Sequence, residues 1–402
     1  MKVIPPLFVL LALLRPLAAS AADLEIYQVR GQTAVRSADA AAEKSFPVPA
    51  DAFDYALSLV EKEGGAVEVH RGHYALARGI TVPSNVTLRG SGRATRLELE
   101  PAAKFGVMVS GKGTNIEDLA IFGAPEQSGV IMDAAGDCHL KGLLVQGFGY
   151  GIWVRNSSFL ISVVDCSAAD NSLAGYYFDS LRNGRGGDFI PNLVSNCFAY
   201  GGGNGFEANH AIVLNFVGCV AHQPRGHGFY FHDGSFSISV TGCRTFQVGK
   251  DGLREERSGE INVSSNIFCW SRGNGIVINN VQWGTIAANN VIDVGVRTTD
   301  GSYRDGIKLE NKSNGIHVTG NAIFNYGDQC PMQNGITVDA TCTNLNLVAN
   351  NINYFVGKGI DSKGQNITIA NNIEYGEHSY KNEGRPPYPD FDDLRLNRFL
   401  KQ

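Results

Sequence analysis

The chain has 402 residues, 43% of them hydrophobic and 18% charged, and a formal net charge of -5. Those values belong to a folded globular chain, and a mildly acidic balance without a basic cluster argues against nucleic acid as its partner.

In chain order, Met1-Lys2 precedes an apolar run from Val3 to Leu14 and the small-residue stretch Ala18-Ala19-Ser20-Ala21-Ala22. That pattern predicts a secretory signal peptide over residues 1–22 and a secreted or periplasmic mature protein. No later segment is long and apolar enough to span a membrane. Residues 23–65 read as an N-terminal cap. Within them Asp51 to Lys62 carries apolar residues at helical spacing and runs into Gly64-Gly65, which predicts an amphipathic helix closing the open end of a solenoid.

From Gly106 onward, a glycine, in most repeats preceded by a small polar residue, and an alternating run recur about every 23 residues. The anchoring glycines are Gly106, Gly129, Gly151, Gly175, Gly205, Gly228, Gly252, Gly275, Gly306, Gly335 and Gly359. A period of this size belongs to solenoids. The alternation after each glycine, as in Phe206-Glu207-Ala208-Asn209, is that of a strand with one buried face. A second run follows in most repeats, for example Leu214 to Phe216 and Ile238 to Val240. Each repeat is therefore predicted to be one coil of a parallel β-helix, an all-β single domain of about 11 to 12 coils over residues 66–376. Ile152, Phe206, Phe229, Leu253, Ile276, Ile307 and Ile336 are predicted to stack inside it. Such a core needs no disulfide framework.

At the turn after the second run, Cys166, Cys197, Cys219 and Cys243 align with Asn266, Asn290, Asn321, Asn351 and Asn372. Asparagines in that line would hydrogen-bond coil to coil, and the cysteines would fill the same slot as small apolar groups, since a coil period is not a zinc-ligand spacing. Cys330 and Cys342 could meet across the base of a loop, a pairing that sequence does not decide. Residues 377–402 leave the repeat with Pro386-Pro387 and the acidic Asp390-Phe391-Asp392-Asp393, and are predicted to fold over the last coil or along its side.

The segments Gly65-Ala66-Val67-Glu68-Val69, Arg71-Gly72-His73-Tyr74 and Val82 to Gly92 resemble the opening coil of the pectate-lyase-like right-handed β-helix superfamily. The resemblance runs on to about Tyr375 and implies a fold rather than a reaction. Gly226-His227-Gly228 matches one element of the polygalacturonases without their others. Phe231-His232-Asp233 matches part of the Asp-Pro-His-Asp of alginate epimerases.

Function is sought on the outward positions. Two residues after each glycine the column includes Trp153, Tyr177, Glu207, Tyr230, Arg254 and Lys308; four residues after, it includes His232, Glu256 and Glu310. Aromatic faces beside fixed polar groups suit sugars. Over-length coils add Arg182 to Asp188, Val296 to Arg304 and Tyr326 to Pro331 in the same region, which predicts loops walling a polysaccharide groove. Trp153, Tyr177, Glu207, Lys308 and Glu310 are the predicted binding residues, and Tyr230, His232, Arg254 and Glu256 the predicted catalytic ones.

Two reactions fit. In the first, Arg254 or Lys308 pairs a uronate carboxylate while Tyr230, His232 or an uncharged Arg or Lys moves the C5 proton. This is uronate lyase or C5-epimerase chemistry, familiar in the superfamily that the chain resembles, where a calcium ion held by Asp or Glu often helps neutralise the carboxylate. In the second, Glu256 and Glu310, two coils or about 9.6 Å apart, act as the acid and base of a glycoside hydrolase or fructan-type glycosyltransferase. A non-catalytic glycan-binding or polymer-export role is a third reading. His210, His222 and His227 read as exposed turn histidines, with a metal site as the alternative. Glu255 breaks an inward apolar column, which implies a bulge, protonation, or pairing with Arg254 or Arg257.

Overall fold

The computed structural model describes residues 24–37, 43–181, 190–296, 302, 304–326 and 332–376. The predicted signal peptide, the tail 377–402, Cys330 and most of the three predicted loop additions lie outside them. Among the described residues, strands form two long sheets of 26 and 13 members, and from Gly65–Val69 onward each strand pairs in parallel with its counterpart one coil away. This is a parallel β-helix.

The glycine line explains the repeat. A Cβ built on Gly205 would lie 2.6 Å from the Gly228 carbonyl oxygen, and one on Gly228 would lie 2.5 Å from that of Gly252. The same clash, between 2.5 and 3.0 Å, recurs at every anchor from Gly106 to Gly335. Successive backbones approach too closely there for any side chain. Five residues after the glycine the chain turns a corner through a residue in the left-handed region, as at Ser180, His210, Asp233, Arg257, Asn280 and Asn311, with φ between 50° and 56°.

The register places Ile152, Phe206, Phe229, Leu253, Ile276, Ile307 and Ile336 in one inward column, all fully buried. Tyr176 stands in that column between Ile152 and Phe206. Its ring stacks on Phe206 at 4.7 Å and Phe206 on Phe229 at 4.9 Å, so rings follow the coil spacing. Cys166, Cys197, Cys219 and Cys243 are free and buried, and the Cys243 backbone N–H donates to Asn266 Oδ1 at 2.8 Å. The asparagine ladder runs Asn266, Asn289, Asn321, Asn350 and Asn372, each Oδ1 accepting the preceding member's backbone N–H at 2.9 to 3.0 Å. Asn290 and Asn351, expected in that line, instead open the next strands and are exposed.

The cap is more than a helix. Pro49–Val60 buries Ala52, Phe53, Ala56, Leu57 and Val60, with a proline at its start where no N–H is needed. Strands Leu24–Val29, Gln32–Ser37 and Glu43–Phe46 add an antiparallel meander, and Leu24–Val29 joins the first coil by pairing parallel with Gly65–Val69. No helix among the described residues is long and apolar enough to cross a membrane.

Candidate functional site

The strands Asn204–Asn209, Phe229–His232, Leu253–Ser264, Ile276–Ala287 and Ile307–Glu310 lie side by side, with Glu207 opposite Tyr230, Tyr230 opposite Arg254, and His232 opposite Glu256. Alternation sends Arg254 and Glu256 outward and Glu255 inward. The predicted catalytic residues therefore share one face.

They are bonded to one another. Tyr230 Oη donates to Glu256 Oε1 at 2.6 Å, and Arg254 Nε donates to Glu256 Oε2 at 2.9 Å. Lys308 Nζ pairs with Glu310 Oε2 at 2.8 Å. The two guanidinium nitrogens Nη1 and Nη2 of Arg254 make only long ion pairs, 3.5 Å to Asp251 and 3.8 Å to Glu310. Glu256 and Glu310 are thus spanned by one cation rather than left open to flank a bond. Burial raises the Glu256 carboxyl, but the hydrogen bonds from Tyr230 and Arg254 outweigh it and leave its pKa below the ordinary value. Burial first, and then the bond to Glu256, push the Tyr230 phenol upward.

His232 lies between carboxylates: Nδ1 is 2.8 Å from Asp233 Oδ2 and Nε2 is 3.2 Å from Glu207 Oε1. Both partners only accept, so the arrangement suits the imidazolium. Burial opposes that charge, yet the bonds to Glu207 and Asp233 prevail and raise the histidine pKa. Its ring stacks on Tyr230 with centroids 4.4 Å apart. Asn204 Nδ2 holds the second oxygen of Glu207 at 2.7 Å.

Trp153 and Tyr177 form a separate aromatic group on earlier coils. Tyr177 is stacked on Tyr150 at 4.6 Å and is only 9% exposed, so it supports Trp153 rather than presenting an open face. Arg155 lies over the Trp153 ring at 4.4 Å.

Glu255 is fully buried without a bulge, paired in register with Phe231 and Ile278. It accepts a hydrogen bond from Ser258, not from an arginine, and its Oε2 has no partner. Burial pushes its pKa to about 8, with the Ser258 bond opposing. His227 and His222 are not exposed turn residues. His227 is 8% exposed and burial lowers its pKa to about 4, while burial likewise lowers that of the part-buried His222. Among the described residues no three His, Cys, Asp or Glu side chains gather as a metal site. The strip's carboxylates are already held by cations or hydrogen-bond donors, so this ligand set does not fit a calcium ion.

Sequence reading missed a second ladder beside the strip. At the position before the glycine, Asn204, His227, Asp251, Asn274, Asp305 and Asn334 each accept the backbone N–H of the same position one coil on, at 2.8 to 3.3 Å. The polar residue preceding the glycine in these six repeats was its signal. Tyr150 was missed because it also precedes its glycine and falls outside both outward columns.

The family described as "Right handed beta helix region" matches residues 84–245. The pre-neck appendage protein of Bacillus phage phi29 is 24% identical over 205 residues, 46% of this chain and 23% of that protein, so the chain spans about a quarter of its relative's length. Among solved structures, the A-module of mannuronan C-5 epimerase AlgE6 from Azotobacter vinelandii superimposes with a TM-score of 0.71 at 17% identity, covering 82% of this chain and 95% of that one. The catalytic unit of a GH87 alpha-1,3-glucanase from Streptomyces thermodiastaticus gives 0.62 at 14% identity, covering 83% and 68%. The tailspike of E. coli bacteriophage HK620, solved with a pentasaccharide, gives 0.55 at 14%, covering 82% and 74%. At these identities the likeness is one of fold, and the fold of this chain is the right-handed parallel β-helix.

Proposed function

We propose that this protein is a secreted or periplasmic carbohydrate-active enzyme that moves the C5 proton of a uronate residue in a polysaccharide, as a lyase or an epimerase. The observation that carries this reading is the division of labour in the strip. Its carboxylates are occupied as acceptors, whereas Tyr230 and His232 hold transferable protons side by side, 4.4 Å between ring centroids.

Their order of acidity assigns roles. The histidine pKa, though raised, starts from an ordinary value well below that of a phenol, and the Tyr230 pKa is itself pushed upward, so the imidazole gives up its proton at the lower pH. His232 is then the base, through Nε2, whose carboxylate contact is the longer. Tyr230 is the proton donor. Arg254 turns its two loosely paired nitrogens to the substrate carboxylate, where negative charge grows as C5 loses its proton. The electron pair then expels the glycosidic oxygen at C4, protonated by Tyr230, to leave an unsaturated uronate, or C5 regains a proton on its opposite face. A hydrolase needs one protonated carboxyl and one carboxylate free to flank the bond; here Tyr230 and Arg254 favour the anion at Glu256, and Lys308 pairs with Glu310.

The test is incubation with polyuronates in deuterated water. Unsaturated product reports a lyase and deuterium at C5 an epimerase; new reducing ends with neither would refute the proposal. Arg254→Ala is expected to reduce kcat by about a hundredfold or more, because the lost contact strengthens in the transition state.

A further inference from the structure

Around the corner at Arg257 and Asn280, the same coils present a second face. Asn215, Ser239, Asn262, Thr285 and His317 occupy one outward column on five successive coils, fixed by the strand register. They line a shallow groove of about 450 Å³ together with Trp283.

Trp283 is anomalous on three counts. It is 59% exposed, among the largest exposures of any apolar side chain in the described residues. Its backbone is left-handed, φ 61°, at a bend where other coils use Leu160, Val213, Ser237, Glu260, Gly315 and Asn344, and Trp283 is the largest side chain of that line. A bulky residue is disfavoured in that conformation, and here no burial offsets the strain. Finally, the next coil clears space for the ring: a Cβ on Gly315 would lie 2.7 Å from Trp283 Cδ1.

An exposed indole beside a row of uncharged hydroxyl, amide and imidazole groups matches the two surfaces of a sugar ring, its C–H face and its hydroxyl rim. Charge narrows the class. Among the described residues Glu260 is the one acidic residue of the lining, and no lysine or arginine lines the groove. A polyuronate would meet repulsion there and find no cation. We infer that this face is a binding site for a neutral oligosaccharide, with Trp283 as its stacking platform, separate from the Tyr230–Arg254 strip and independent of the reaction proposed for it.

The experiment titrates the whole protein with neutral cello-, malto-, xylo- and manno-oligosaccharides and with oligomannuronate, by calorimetry and tryptophan fluorescence. At least one neutral oligosaccharide should bind, roughly tenfold more weakly to Trp283→Ala, the scale of one lost stacking contact. Gly315→Ala, which displaces the ring without removing it, should weaken binding too. Binding should survive in Arg254→Ala, which separates this site from the strip. Activity on a uronate substrate should be unchanged in Trp283→Ala, so failure of either proposal leaves the other standing. Absence of Trp283-dependent binding across the neutral panel would overturn the inference. So would Trp283-dependent binding of oligomannuronate alone, or Trp283-dependent self-association in sedimentation, which would make the occupant a second copy of the chain.

Discussion

His232 is an imidazole between two anions, and the sign of its shift fixes the pH at which it can work. Glu207 and Asp233 stabilise the protonated ring, so as a base it becomes competent only when pH rises through a pKa above the ordinary histidine value. The acidic limb of kcat/KM should lie there. Glu207→Gln removes one anion and should move that limb to lower pH; an unmoved limb would take the proton transfer away from His232. Glu255, whose pKa is likewise raised, bears on stability instead. Its folded pKa of about 8 exceeds the ordinary 4.5, so the folded state binds the extra proton and stability falls as pH rises between those values. The loss is on the order of a few kcal/mol at pH 8 and absent below pH 4. Glu255→Gln should flatten this dependence in urea unfolding measured at pH 5 and pH 8. An equal pH dependence in the variant would mean that Glu255 is ionised inside the core.

The ladders belong to the scale of the coil. Asn289 accepts the Asn266 backbone and side-chain N–H groups and donates to the Val263 carbonyl, all at 2.9 to 3.0 Å and out of water. Asn289→Ala leaves those buried groups unmatched and should destabilise by about 2 to 4 kcal/mol, whereas Asn290→Ala, one residue on and exposed, should change stability by less than about 0.5 kcal/mol. Denaturant midpoints of the two variants decide which frame the ladder follows. That frame was the part the sequence left ambiguous. Asn289-Asn290 and Asn350-Asn351 are identical pairs, and only the inward turn of the first member tells them apart. The outward columns were legible because a strand has a period of two and a coil fixes its neighbour's register, so Tyr230, Arg254 and Glu256 could be set together from spacing alone. Burial of Tyr177 by Tyr150, and the pairing of Glu255 with Ser258, depend on side-chain directions that spacing does not carry.

At the scale of the whole molecule, the glycine line makes the chain a column in which every coil rests on the backbone of the next. Each coil contacts its neighbours alone, and each does so through the same bare stretch of main chain. Removing residues 129–150, one complete turn, brings Ser128 to Gly151, the junction that already exists at Ser128-Gly129. The inward and outward sets on either side keep their places. Removing Val130 alone reverses every side chain that follows it in its strand. The 22-residue deletion should therefore retain a native-like β circular-dichroism spectrum and a cooperative melt, while the one-residue deletion loses cooperativity. Length in this molecule is counted in whole turns, so a large excision can be silent where a small one is ruinous, and its strip of outward residues can lengthen or shorten only in steps of one strand spacing, about 4.8 Å.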